Sequence, residues 1–162
     1  MDPFVVWLKS TTLSQAIVFN TWIWPLCETL HFIGLSLLLG IVGLFDLRLM
    51  GLLKRAPLAA VRELMPFALG GFALNVITGC IFLIGLPEQY VHNSAWWMKV
   101  LFLGIAGINA AIFELTVGPG VLSVGPGDPT TMRMKALGAV SLTAWLGVLY
   151  WGRMLPFIGN AY

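Results

Sequence analysis

The sequence predicts an all-α integral membrane protein: one domain over residues 1–162, built as a four-helix bundle and preceded by an N-terminal amphipathic helix lying in the membrane interface. Three observations carry this expectation. Lys, Arg, Asp and Glu make up only 10% of the chain, where soluble domains average about 25%. Apolar residues reach 59% with a mean hydropathy of +0.90, more apolar surface than a small globule can hide from water. Finally, apolar runs long enough to cross a bilayer recur four times, separated by proline, glycine and charged breaks. The lipid bilayer is thus the first partner expected. A net charge of +2 with no basic stripe gives no reason to expect nucleic acid.

The elements follow in order. Met1-Asp2-Pro3 is not basic, the apolar run after it is short, and no small-x-small site follows, so the N-terminal segment reads as retained rather than as a cleaved signal. Residues 3–20 mix Phe4, Trp7, Leu8, Leu13 and Ile17 with Lys9, Ser10, Thr11 and Gln15, a pattern suited to the interface and not to crossing. Span 1 is expected at about 25–47, because Pro25 suits a first helical turn and Trp22 and Trp24 are interface anchors. Span 2 is expected at about 64–86. Span 3, about 96–117, opens at the Trp96-Trp97 anchor and stops before Gly118-Pro119-Gly120, and span 4 covers about 136–151. The Val-Gly-Pro-Gly sequences at 117–120 and 124–127 read as a pair of turns.

Charge placement sets the orientation. Arg48, Lys54, Arg55, Arg62, Arg133 and Lys135 fall around the first and third loops, against Lys9, Lys99 and Arg153 elsewhere. The positive-inside rule then predicts those loops to be cytoplasmic and both termini periplasmic, in a bacterial inner membrane.

Within the spans, each ionisable group calls for a reason, since a charge at mid-helix costs about 2.5–3.5 kcal/mol on insertion scales. Glu28 lies about 4–5 Å below Pro25, and Lys99 about the same distance below Trp96. Equal depth suggests an ion pair between spans 1 and 3; the alternative is an acid at a helix N-terminus and a snorkelling lysine. His31 lies about 9 Å below Pro25, on the face of Cys27 and Glu28. Such an imidazole serves as a haem or metal ligand, a proton carrier, or a hydrogen-bond partner for a neighbouring helix. Gly34, with Gly40 and Gly43 further down, leaves that flank without bulk, open to a close helix or to a flat macrocycle. Asn75, Thr78 and Asn109 are neutral groups suited to bonding between helices, and Glu114, about 27 Å below Trp96, reads as a surface acid. Cys27, His31 and Cys80 reach similar depth and are of the types that hold copper or zinc, although lone cysteines more often act as small buried hydrophobes. His92, in the loop between spans 2 and 3, reads as solvated.

The run Trp24-Pro25-Leu26-Cys27-Glu28-Thr29-Leu30-His31, then Gly40, Phe45-Asp46-Leu47-Arg48-Leu49-Met50-Gly51, Trp97-Met98-Lys99 and Asn109 resembles a bacterial family of small four-span membrane proteins of unassigned function, over nearly the whole chain. More distantly, a histidine in the outer half of span 1, an Arg-Leu pair at its far end and Trp-x-Lys opening span 3 resemble the membrane protoporphyrinogen oxidase family that binds b-type haem, and copper-resistance D proteins share the outline. The oxidase resemblance implies His31 as a haem ligand, with Arg48 and Lys99 at further positions of that family's pattern. The later histidine of the pattern is absent here, and Asn109 occupies that region.

Three functions are therefore open. The first is a haem b redox or electron-transfer subunit, with His31 as axial ligand, Gly34 making room for the ring, and Glu28 and Lys99 as neighbours or propionate contacts. The second is a non-catalytic subunit that packs against other membrane subunits or against itself. Copper or zinc handling through Cys27, His31 and Cys80 is the third.

Overall fold

The computed structural model describes residues 2–158 and is all-helical there, with no strand. Four helices are long and apolar enough to cross a membrane: α3 (Ile23–Leu49), α5 (Met65–Gly85), α7 (Ser94–Thr116) and α8 (Met132–Met154). Pro25 is the third residue of α3, a first-turn position where a missing N–H costs nothing. With 27 residues, α3 is about 40 Å long and outreaches the roughly 30 Å hydrocarbon layer, so its last turn, bearing Asp46 and Arg48, enters the loop layer. The fourth span is longer than expected. Thr131 accepts the Met134 N–H at its N-terminus, starting the helix before the apolar run does.

Residues 3–20 form two helices rather than the expected one, α1 (Pro3–Lys9) and α2 (Thr12–Phe19). Ser10 and Thr11 donate their hydroxyl protons to the carbonyls of Trp7 and Leu8, and Thr11 also accepts the Ser14 N–H. Local bonding of this kind ends one helix and caps the next. A short α4 (Leu58–Glu63) precedes α5. Pro66 separates the two, because proline fits the first turn of α5 but not the interior of one continuous helix. A further short helix, α6 (Glu88–Val91), lies in the loop before α7.

Packing is sequential and then central: α3 lies along α5, α7 along α8, and α3 meets α8. The α3/α5 contact is backbone on backbone. A Cβ added to Gly71 would stand 2.6 Å from the Gly34 carbonyl, and one on Gly34 would stand 2.7 Å from the Gly71 carbonyl. In lipid, where tails are as apolar as leucine, such close approach is what holds helices together. At one end Phe45 and Phe113 meet edge-to-face at 5.5 Å, within a buried cluster completed by Leu49, Leu58, Val121 and Met134.

The loops sort into two ends. Gly127 N–H donates to the Lys54 carbonyl, and Arg48 bonds both loops, so the first and third loops share a basic end. The opposite end gathers α1, α2, α6 and the residues after α8. There Lys9 pairs with Glu88 at 2.8 Å, His92 with Asp2 at 3.3 Å, and Asn93 donates to the carbonyls of Leu155 and Ile158. Of the chain termini themselves, Met1 and residues 159–162 lie outside the described residues.

Candidate functional site around His31

His31, part-exposed on α3, points its Nδ1 at the Thr78 hydroxyl oxygen of α5, 2.7 Å away. Thr78 is 1% exposed, and its Oγ1 is also 2.7 Å from the Leu74 carbonyl oxygen. A hydroxyl has one proton, and two oxygens at that distance repel unless a proton lies between them. The Thr78 proton is best placed toward the backbone carbonyls of its own helix, Leu74 at 2.7 Å and Asn75 at 3.3 Å, which favours the hydroxyl as acceptor and His31 as donor through Nδ1–H. In that tautomer Nε2 carries a free lone pair. This is the arrangement in which protein imidazoles bind metals, the second nitrogen fixed by an outer hydrogen bond.

An aromatic wall fixes the ring from one side. Phe82 of α5 lies 5.6 Å from the imidazole, centroid to centroid, and 5.0 Å from Trp24. Lys99 of α7 runs its side chain along α8, 3.8 Å from where a Cβ would stand on Gly152.

Several expected members of the site stand elsewhere. Glu28 and Lys99 do not pair: among the described residues the ion pairs are Lys9–Glu88 and Arg62–Glu114, and His92 Nε2 lies 3.3 Å from Asp2 Oδ2. Glu28 is exposed and accepts the Trp24 indole N–H at 3.2 Å, while Lys99 lies against α8. Equal depth was not enough, because the two side chains leave their helices in different directions. Burial pushes the Tyr90 phenol up to about 12, and the Glu28 carboxylate adds to that rise. Gly34 does not make room for a ring, since Gly71 and the Asn75 side chain fill the space beside it.

Arg48 is 17 residues further along α3, about 25 Å from His31, and holds the loops. Fully buried, it donates from Nε to the Ala56 carbonyl at 2.9 Å and from Nη2 to those of Gly125 at 2.9 Å and Asp128 at 3.3 Å. Nor are Cys27, His31 and Cys80 gathered. Cys27 is buried and Cys80 exposed, and among the described residues no three His, Cys, Asp or Glu side chains come close enough to hold a metal ion.

Other polar residues tie helices together. Asn109 donates to the Leu137 carbonyl across α7 and α8. Glu114, exposed as expected, is held by both Arg62 terminal nitrogens at 2.6 Å. Asp46, 3% exposed near the end of α3 with Oδ2 unpartnered, is a buried acid that hydropathy alone does not single out. The only sign was its place two residues before another charge that also proves buried.

The site therefore offers one imidazole anchored through Nδ1 and an aromatic wall, with no second imidazole opposite among the described residues. Protein-family models, curated proteins and solved structures were all compared with the chain, and none matches it.

Proposed function

We propose that this chain is a redox subunit of a bacterial inner membrane in which His31 Nε2 is the single protein ligand to the iron of b-type haem. One observation carries the reading: His31 Nδ1 and the Leu74 carbonyl oxygen both lie 2.7 Å from the Thr78 hydroxyl oxygen, a geometry that suits the Nδ1–H imidazole with Nε2 unprotonated. Haem, when bound, supplies one-electron chemistry; the chain supplies ligation, orientation and charge. Thr78 sets the ring angle and keeps the proton off Nε2. Lys99 offers a cation to a carboxylate of the bound group. Because α5 closes over Gly34, only the part-exposed side of His31 remains for a ring. In this reading the basic end faces the cytoplasm, and α1 and α2 lie in the outer interface, with Trp7 and Phe19 among their most exposed side chains.

Detergent-purified protein from haem-replete cells tests this directly. The expected result is a Soret band that shifts on dithionite reduction and disappears in His31→Ala. Wild-type protein without a His31-dependent band sinks the proposal.

A second reading, an accessory subunit without its own cofactor, is favoured by the packing. Only 17–22% of the residues in each apolar window are buried within the chain, and Gly79 of α5 and Gly104 of α7 meet nothing within 4 Å. If Gly79→Leu or Gly104→Leu dissociates a co-purifying membrane complex while His31→Ala leaves it intact and spectrally unchanged, this reading replaces the first.

A further inference from the structure

At the basic end, a cavity of about 220 Å³ opens between the first and third loops, lined by Gly51, Lys54, Asp128, Thr130 and Lys135 among others. Its walls are fixed. Arg48 clamps both loops from beneath through their carbonyls, and the Gly127 N–H bonds the Lys54 carbonyl at 2.8 Å. Gly51 turns the chain at φ +84°, and the point where its Cβ would stand is 3.6 Å from both the Thr130 hydroxyl oxygen and the Lys135 Cε. Glycine thus keeps open the space on which these groups converge.

The polar inventory is anion-seeking. Lys54 and Lys135 are exposed, and neither belongs to an ion pair among the described residues. Thr130 is 7% exposed, and its hydroxyl has no hydrogen-bond partner, although buried polar groups in proteins are almost always satisfied. Arg48, in the layer beneath, also keeps one terminal nitrogen unpartnered. The one acid in the lining, Asp128, accepts the Gly125 N–H with Oδ2 at 2.8 Å. The N-terminus of α8 begins two residues after Thr130 and adds the positive end of its dipole. The volume is below the roughly 300–1,000 Å³ of sites for drug-sized ligands, which suits a phosphoryl group and its first substituent.

We propose that this cavity binds a phosphate group, with Lys54 and Lys135 as counter-charges and the Thr130 hydroxyl as donor. The phosphate belongs either to an anionic phospholipid headgroup at the membrane surface or to free phosphate. Basic pockets beside membrane helices are suited to the former. The inference does not depend on haem.

Binding to the full-length protein in detergent is measured with inorganic phosphate alone in one arm and with short-chain phosphatidylglycerol against phosphatidylcholine in the other. Saturable binding of either anionic probe, weakened about fivefold by Lys54→Gln or Lys135→Gln and also weakened by Thr130→Val, supports the site. Binding of phosphatidylglycerol without inorganic phosphate assigns it to lipid, and the reverse assigns it to the free ion. Arg55→Gln, at the same end but outside the cavity, controls for diffuse charge, and unchanged helical circular dichroism controls for folding. The proposal is overturned if neither probe binds, if Arg55→Gln weakens binding as much as the lysine substitutions do, or if Thr130→Val leaves affinity within twofold.

Discussion

Gly70 and Gly71 are neighbours on α5 with opposite surroundings, and substituting alanine at each isolates the contact that joins α3 to α5. A Cβ at Gly70 meets nothing within 4 Å, whereas at Gly71 it would stand 2.6 Å from the Gly34 carbonyl and 3.2 Å from the Leu38 nitrogen. Both are backbone atoms and cannot swing aside, so the helices must part by about 0.8 Å to restore an ordinary 3.4 Å contact. Parting them by that much would also carry the 2.7 Å bond between His31 and Thr78 to about 3.5 Å, the edge of hydrogen-bonding range. Alanine is intrinsically favoured over glycine in a helix by about 1 kcal/mol, and that gain is common to both sites. Their difference therefore reports the clash, about 1–3 kcal/mol for one forced methyl. Unfolding in mixed detergent and SDS, followed by tryptophan fluorescence, should rank the proteins Gly70→Ala, wild type, Gly71→Ala. Equal stability of the two variants would refute backbone contact as the basis of the α3/α5 pair.

Two further predictions concern the two ends of the long helices. Arg48→Gln withdraws the guanidinium from three loop carbonyls, and hydrogen bonds to a buried charge contribute about 1.5–3 kcal/mol each. A loss of at least about 3 kcal/mol is expected, with proteolysis appearing first between residues 118 and 131; wild-type protease resistance would contradict the clamp. Glu88 is held below the usual value of 4.5: burial acts to raise it, but the hydrogen bond from Lys9 and the attraction to Lys9 outweigh burial. A lowered carboxyl stabilises the fold above 4.5 and loses that contribution as pH falls through its lowered value. Both side chains are about half exposed, so the pair contributes only about 0.2–1 kcal/mol. In an unfolding series from neutral pH downward, Lys9→Gln should lie below wild type at neutral pH and converge with it well below 4.5; a constant gap contradicts the assignment.

The spans were legible because length and hydropathy are local properties, and Pro25 and the tryptophan anchors marked their ends to within a few residues. Thr78 and Asn109 were legible as groups that bond between helices. What the sequence could not supply was azimuth. The helical rise places Glu28 and Lys99 at one depth, but only packing decides that one meets Trp24 while the other lies against α8. Gly34 was compatible with a ring or a helix, and the choice rested on Gly71, 37 positions away. Arg48 counted as a loop charge until the loops closed over it. The Thr130 cavity depends on two loops far apart in the chain and has no local signature.

The state of His31 bears most directly on the proposed chemistry. The chain contains only two histidines, so imidazole ¹⁵N NMR of histidine-labelled protein in nanodiscs, with His92→Gln for assignment, reads it directly. His31 held by Thr78 should show a protonated Nδ1 and an unprotonated Nε2, and should lose that single form in Thr78→Val. A protonated Nε2 in the wild-type protein would contradict the hydrogen-bond argument and remove the basis for His31 as a ligand.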